Sequence, residues 1–469
     1  IAAGLLAALT APADAYIRFN CATNIVEERA DPLVDPYKVS GHVHKIAGGN
    51  AWNMNRYMDY DELRSAKCSS CLIKQDLSNY WTPKLYYHAQ NGSFINVPMV
   101  GDSASDLNGG MVVYYQQRGP DTSNLTAFPE GFRMLAGDTT KRNFTGDFPA
   151  EAVNFACLGS NQPETNYLPN YNCPDGLRAQ LYFPSCWNGE VDSPDHKSHM
   201  SYPASGAHDN GPCPASHPTQ TISLFFEVLY ASYLFADDWY GDKQPFVFSN
   251  GDPTGYGFHG DFLNGWEVEA LQQVTDQCNS DAAFGSTAKS DCPPIDEFTS
   301  DEMMNCKVPS QVDEPIRGVL SKLPGCNPVQ YGPAPAKMAT CSGVVTTISS
   351  DTQVEDATFT DETGKGWSYV GCATDSSTTR TFDGATTIYS AGVGDTMTVD
   401  YCLNFCKDYT YAGIEYGSQC YCGNTLASAA APKAGELGSC NMPCNGNSTQ
   451  FCGGNWALSS YKKCSGSSC

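Results

Sequence analysis

The stretch FPSCWNGEVDSPDHKSHMSYP, residues 183 to 203, gathers Asp192, Asp195, His196 and His199 around Cys186 and Trp187, with prolines at both ends and in the middle. His196 and His199 are three apart, the spacing of one helical turn or a tight loop, so their rings can approach one point. His42 and His44 are two apart; on a strand such residues share a face, and close histidine pairs are frequent metal ligands. His42, His44, His196 and His199 are therefore the candidate ligands for a divalent metal, the one cofactor these residues suggest. His259 sits in GFHGD, where the glycines leave room for close approach. The candidate catalytic groups are His44, His196, His199, His259, Asp195 and Asp261. Tyr202 is a candidate acid partner to a histidine base in β-elimination from a uronic acid polymer. Two carboxylates across a glycosidic bond would instead suffice for hydrolysis. Asp175 and Asp252 read as turn residues, because CPDG and NGDPTG are turn sequences. Tyr80, Trp81, Trp187 and Tyr256 offer flat faces to sugar rings. Each of these features also has a structural reading: a strand with two histidines, or a proline-rich loop pinned by disulfides. Neither a G-x-S-x-G elbow nor an H-E-x-x-H helix is present.

The elements that must position these groups read mostly as β. GMVVYYQQ, KLYYHAQ, GFRMLAG and AQLYFPS are short, rich in β-branched and aromatic residues, and punctuated by Gly, Pro, Asn and Asp. ISLFFEVLYASYLF, residues 222–235, is expected to be a core strand, or two joined by a bend. One helix is expected over 263–278, with Trp266, Leu271 and Val274 as its buried stripe and Asn264 as its cap. Many short strands with few helices predict a β-sandwich or jelly-roll-like domain over residues 16–327.

The chain has 469 residues, with 51 acidic against 27 basic side chains and a net charge of −24. That charge repels phosphate backbones and anionic membrane surfaces, so nucleic acid is excluded as a partner. No run approaches the roughly 20 apolar residues of a membrane span. The 22 cysteines imply a disulfide framework and an oxidising compartment. Residues 1–15, IAAGLLAALTAPADA, read as the remnant of a signal peptide ending in Ala13-Asp14-Ala15, with the mature chain beginning at Tyr16. A mature terminus at Tyr16 disfavours a copper oxidase built on an N-terminal histidine. Asn91, Asn124, Asn143 and Asn447 head glycosylation sequons. The expectation is a secreted glycoprotein of the extracellular space or cell wall. Cys173, Cys186 and Cys213 lie in proline-rich loops and are expected to staple them. Cys68-Ser-Ser-Cys71 reads as structural rather than redox-active. Eleven cysteines precede the linker, so one is free or pairs with the second half.

All eight histidines precede residue 260. PVQYGPAPAKMAT opens a linker over 328–363, followed by a cysteine-rich module over 364–464 and a tail over 465–469. Cys372, Cys402, Cys406, Cys420, Cys422, Cys440, Cys444 and Cys452 fall in that module, and so small a core needs four disulfides. YAGIEYGSQCYCGN and CNGNSTQFCGGNWALSSY resemble the WSC domain, a small extracellular module of fungal wall sensors and enzymes, expected here as a disulfide-rich α/β fold. The resemblance implies binding to β-glucan or another wall polysaccharide. Tyr411, Tyr416 and Trp456 are candidate stacking faces, with Asn424, Asn441 and Asn455 as amide partners; each aromatic could equally be core.

The first domain is similar to the fungal secreted family DUF1996. SGHVHKIAGGNAW, CSSC, NYWTPKLYY, FPEGFRMLAGD, NCPDGLRAQLYFPSC, GPCPASHP and GDPTGYGFHGDFLNGW carry that resemblance. The family label supplies no mechanism. The expected function is polysaccharide-directed: the WSC module binds glycan, and the first domain acts on or binds polysaccharide through a His/Asp/aromatic cleft, as a glycoside hydrolase or polysaccharide lyase if it is an enzyme. The alternative is a non-catalytic structural or adhesive wall glycoprotein.

Overall fold

The computed structural model describes residues 16–100, 110–278, 286–349, 359–377, 380–382, 386–388, 396–430, 440 and 442–465. The signal-peptide remnant, Asn441 and all but the first residue of the tail lie outside these.

Two antiparallel five-stranded sheets pack face to face. The first runs, in spatial order, Tyr16–Asn20, Val112–Gln116, Ser223–Tyr230, Gly176–Tyr182 and Val153–Leu158. The second runs Val26–Glu28, His44–Gly48, Asn79–Pro83, His259–Leu263 and Arg133–Gly137. Between them lies one core in which Tyr80 and Phe262 stack at 5.5 Å and Tyr80 meets Phe226 edge-on at 5.6 Å. The sheets approach closely at Gly260, where a Cβ would stand 2.7 Å from Leu181. A third, four-stranded sheet carries Leu85–His88 and Phe246–Phe248.

The second sheet is buried on both faces. Successive strand residues point to opposite sides. Ala47, Tyr80, Met134 and Phe262 thus enter the sandwich core, while Ile46, Trp81, Leu135 and Leu263 enter a second core with Trp52, Met58 and Leu63. Residues 306–312 close that second core through Cys306, Val308 and Val312, and Cys306 is bonded to Cys68.

The run over 222–235 forms the strand Ser223–Tyr230 and then enters a 3-10 segment, Ser232–Asp238, that extends beyond it. The expected helix is shorter than its sequence pattern, Val268–Gln277. Asn264 does not cap it: its amide donates to the carbonyls of Phe128 and Pro129, tying a loop to the strand end. Leu271 and Val274 are buried on the helix as expected, whereas Trp266 is buried but precedes its first turn.

Cysteine pairing follows spacing. Cys402 and Cys406 lie one turn apart on the helix Val399–Phe405 and at its cap, while Cys420 and Cys422 share one face of the strand Gln419–Gly423. The bonds Cys402–Cys420 and Cys406–Cys422 therefore staple helix to sheet. Cys372–Cys440 and Cys444–Cys452 complete the module. Cys186–Cys213 and Cys157–Cys173 pin the proline-rich loops. Cys68 and Cys71 bond elsewhere, Cys71 to Cys21, so they form no redox pair. The odd cysteine of the first half is Cys326, bonded to Cys341. The two halves touch: Asn455 donates to Asp301, and Tyr416 packs on Met303, Met304 and Met442.

Candidate functional site

His44 and His259 begin two strands that run in the same direction on either side of Asn79–Pro83. Ile46 and Asp261 are both registered with Trp81, and His44 with Pro83. His44 and His259, two residues earlier on their strands, therefore occupy one row on the face that carries Ile46 and Asp261. Across the compact Pro83 their Nε2 atoms are 3.3 Å apart. His42, two residues before His44, reaches the same point, with its Nε2 2.9 Å from that of His259. Each of the two strand histidines is held from behind: Nδ1–H of His44 donates to the carbonyl of Ala30, and that of His259 to the carbonyl of Gly257, both at 2.9 Å. A carbonyl can only accept, so both Nδ1 atoms carry the proton and both Nε2 atoms present a lone pair.

Two carboxylates adjoin this trio. Ligand atoms of Asp31, His44 and Asp261 lie within 4.8 Å of one another, as do those of His42, His44 and His259. Asp31 holds its turn by accepting from the amides of Leu33 and Val34. Asp261 is fully buried, and neither of its carboxylate oxygens has a hydrogen-bond partner among the described residues. Burial pushes the His44 imidazole down to about 3, with His259 adding to the effect, and pushes His259 down to about 4. His42 is lowered well below its ordinary value by burial and then by the other two. Burial raises Asp31 to about 7, and raises Asp261 well above the carboxylate range with Asp31 repelling it. Neutral imidazoles beside buried acids form a set of electron-pair donors, with the Lys197 ammonium acting on His259 and Asp261 from the neighbouring loop.

His196 and His199 stand apart from this cluster and do not join His42 and His44 at one point. Nε2–H of His199 donates to the carbonyl of Arg133, and its Nδ1 faces Ser193 Oγ at 2.9 Å, whose single proton is shared between this nitrogen and Asp195. His196, with φ of 55°, pairs through Nδ1 with Asp192 at 2.7 Å. Asp195 accepts from Ser198 N, Ser198 Oγ, Ser193 Oγ and Lys197 N; these bonds, that from the Ser198 amide first, hold it well below the carboxylate range. Tyr202 donates to the carbonyl of Tyr182. The opening stretch is thus a clasped loop.

That loop walls a groove of about 640 Å³ lined by Gly137, Asp138, Asp195, Lys197, Tyr202 and Tyr256. Gly137 is registered with His259, and Lys197 Nζ donates to its carbonyl, so the groove ends one strand away from the imidazoles. Among the proposed stacking faces, Tyr256 lines this groove. Tyr80 and Trp81 are corrections: both are completely buried in the two cores and cannot stack on a ligand. Trp187 is half-buried, its indole N–H bonded to the carbonyl of Glu190. In the second half Trp456 is 46% exposed, Tyr411 is half-buried against Phe382, and Tyr416 faces the first domain. The three thiol positions Cys402, Cys406 and Cys420 also cluster, but disulfides consume them. Asp31 has no counterpart in the sequence reading; it lies in an aperiodic loop with no motif around it.

Residues 31–266 match the family model described as a domain of unknown function, DUF1996. The chain belongs to the DUF1996 family. Residues 369–454 match the WSC domain. The histidine trio, Asp31 and Asp261 all fall inside the DUF1996 match. A WSC domain-containing protein of Arthroderma benhamiae is 41% identical over 98 residues, 20% of this chain and 10% of that protein. A putative fungistatic metabolite of Chaetomium globosum is 41% identical over 68 residues, 14% of this chain and 30% of that protein. Xylosyltransferase oxt of Drosophila melanogaster is 34% identical over 95 residues, 20% and 10% respectively. The chain thus spans no more than 30% of any of these three relatives. No helix among the described residues is long and apolar enough to cross a membrane.

Proposed function

We propose that this chain is an extracellular, polysaccharide-directed protein, in which the WSC module holds wall glycan and the DUF1996 domain presents its groove to the same material. The observation that carries the reading is the WSC match, joined in one chain to a domain with an open groove walled by Tyr256, Lys197 and Asp138. Aromatic and hydrogen-bonding groups at a groove wall suit sugar rings, whose faces are apolar and whose edges carry hydroxyls. The glycan would be β-glucan or another wall polymer. The disulfide framework suits that location. A second reading, a non-catalytic adhesive protein, is favoured by one observation: Asp195, His199 and Tyr202 spend their polar atoms on holding a loop.

Co-sedimentation of the full chain with insoluble β-glucan, chitin and uronic acid polymers tests the binding claim. Retention that falls severalfold in Trp456→Ala supports it; equal recovery in the supernatant with and without every polymer overturns it. Release of soluble sugars from a retained polymer, lost in His259→Ala, distinguishes action on glycan from adhesion.

A further inference from the structure

Asp261 and the histidine trio present a chemical problem with a specific answer. The Nε2 lone pairs of His44 and His259 face each other at 3.3 Å, and His42 Nε2 closes on the same point. A proton on His42 Nε2 would satisfy His259. It would leave the lone pair of His44 and both oxygens of Asp261 without a donor, in a place where unmet polar groups are costly. Three imidazole nitrogens bound to one tetrahedral ion at about 2.0–2.1 Å lie roughly 3.4 Å apart. The 3.3 Å pair matches that spacing, and His42, half-buried on the coil before its strand, needs to retreat by only a fraction of an ångström.

We infer that His42, His44 and His259 bind a single divalent transition-metal ion of the zinc class, with Asp261 and Asp31 supplying the negative charge that a buried cation requires. Imidazole donors select zinc, copper, nickel or iron, whereas calcium and magnesium take oxygen ligands. The carbonyls of Ala30 and Gly257 are the outer partners that fix ring tautomer and orientation at such centres. His42 stands at the solvent side, so ion exchange and any exogenous ligand pass by it. This inference rests on the trio with Asp261 and Asp31 and is independent of the glycan reading.

Elemental analysis of the full chain tests it, after loading with zinc and dialysis against metal-free buffer. One ion per chain is expected in the wild type and in His196→Ala/His199→Ala, and less than a tenth of that in His44→Ala and His259→Ala. His42→Ala, at the rim, should keep the far-ultraviolet circular dichroism of the wild type while weakening zinc affinity at least tenfold. Cobalt loading should give a visible absorption band that His42→Ala changes. A natively folded wild type that retains no zinc, cobalt, copper or nickel overturns the inference. So does undiminished zinc in His42→Ala and His259→Ala. Glycan co-sedimentation is scored separately, so loss of one result leaves the other standing.

Discussion

Gly260 of the second sheet lies so close to Leu181 of the first that a methyl group there would come within 2.7 Å of the leucine Cδ2. Its neighbours His259 and Asp261 point the other way, so sheet packing on one face sets the height of the site residues on the other. Gly260→Ala should destabilise the domain by about 1–3 kcal/mol through overpacking. Guanidinium unfolding checks this, and an unchanged midpoint would show that the sheets separate freely.

Glu27 forms ion pairs with Lys84, Lys45 and Arg317, and both Glu27 and Lys84 are buried. Burial alone would raise the Glu27 carboxyl, but Arg317, Lys45 and Lys84 together hold it well below its ordinary range. Glu27→Gln removes the carboxylate that Lys45, Lys84 and Arg317 share and leaves their charges without it. Such loss costs about 3–5 kcal/mol, expected as a lower unfolding midpoint with unchanged disulfide content.

Glu415 is raised to about 7 by burial and then by Asp375, against the pull of Arg380. Its ordinary value is 4.5. Between those values the folded module keeps a proton that the unfolded chain has lost. Stability from this group is therefore full below about pH 4.5 and declines as pH rises through 7. Thermal melts between pH 4 and 8 should show that slope, and Glu415→Gln should flatten it.

The Cys186–Cys213 bond closes a loop of 27 residues that carries Asp195, His196 and His199. Chain entropy assigns such a closure up to about 3.5 kcal/mol. Cys186→Ser/Cys213→Ser should melt earlier and should be nicked by protease between 187 and 212. Protection equal to wild type would mean that the Asp195 hydrogen bonds suffice.

Much of this architecture is legible in the residues. Short β-branched and aromatic runs between Gly, Pro, Asn and Asp give the strands, and the motifs YAGIEYGSQCYCGN and CNGNSTQFCGGNWALSSY give the module by resemblance, though not its cysteine pairing. His42, His44, His259 and Asp261 stand out by spacing and by flanking glycines. Their grouping does not. His44 and His259 are 215 residues apart and meet only because Asn79–Pro83 runs between their strands, a fact of sheet order that no local pattern encodes. Tyr80 and Trp81 resemble sugar platforms in NYWTP, but a strand between two cores buries both of its faces. Glu267, rather than Asn264, precedes the helix, because Asn264 is held by the Phe128–Pro129 loop.

The Cys68–Cys306 bond joins residues 238 apart. At the usual 5–20 residues per second of synthesis, Cys68 waits roughly ten to fifty seconds for its partner. Cys21 has already emerged and Cys71 follows at once, so an early bond from Cys68 to either must be avoided or undone by isomerase. Residues 306–312, which close the core under Trp81, arrive after all five strands of the sheet. The histidine-bearing face of the sheet, covered early by Trp52, Met58 and Leu63, is therefore closed along its last side only when about two thirds of the chain has been made.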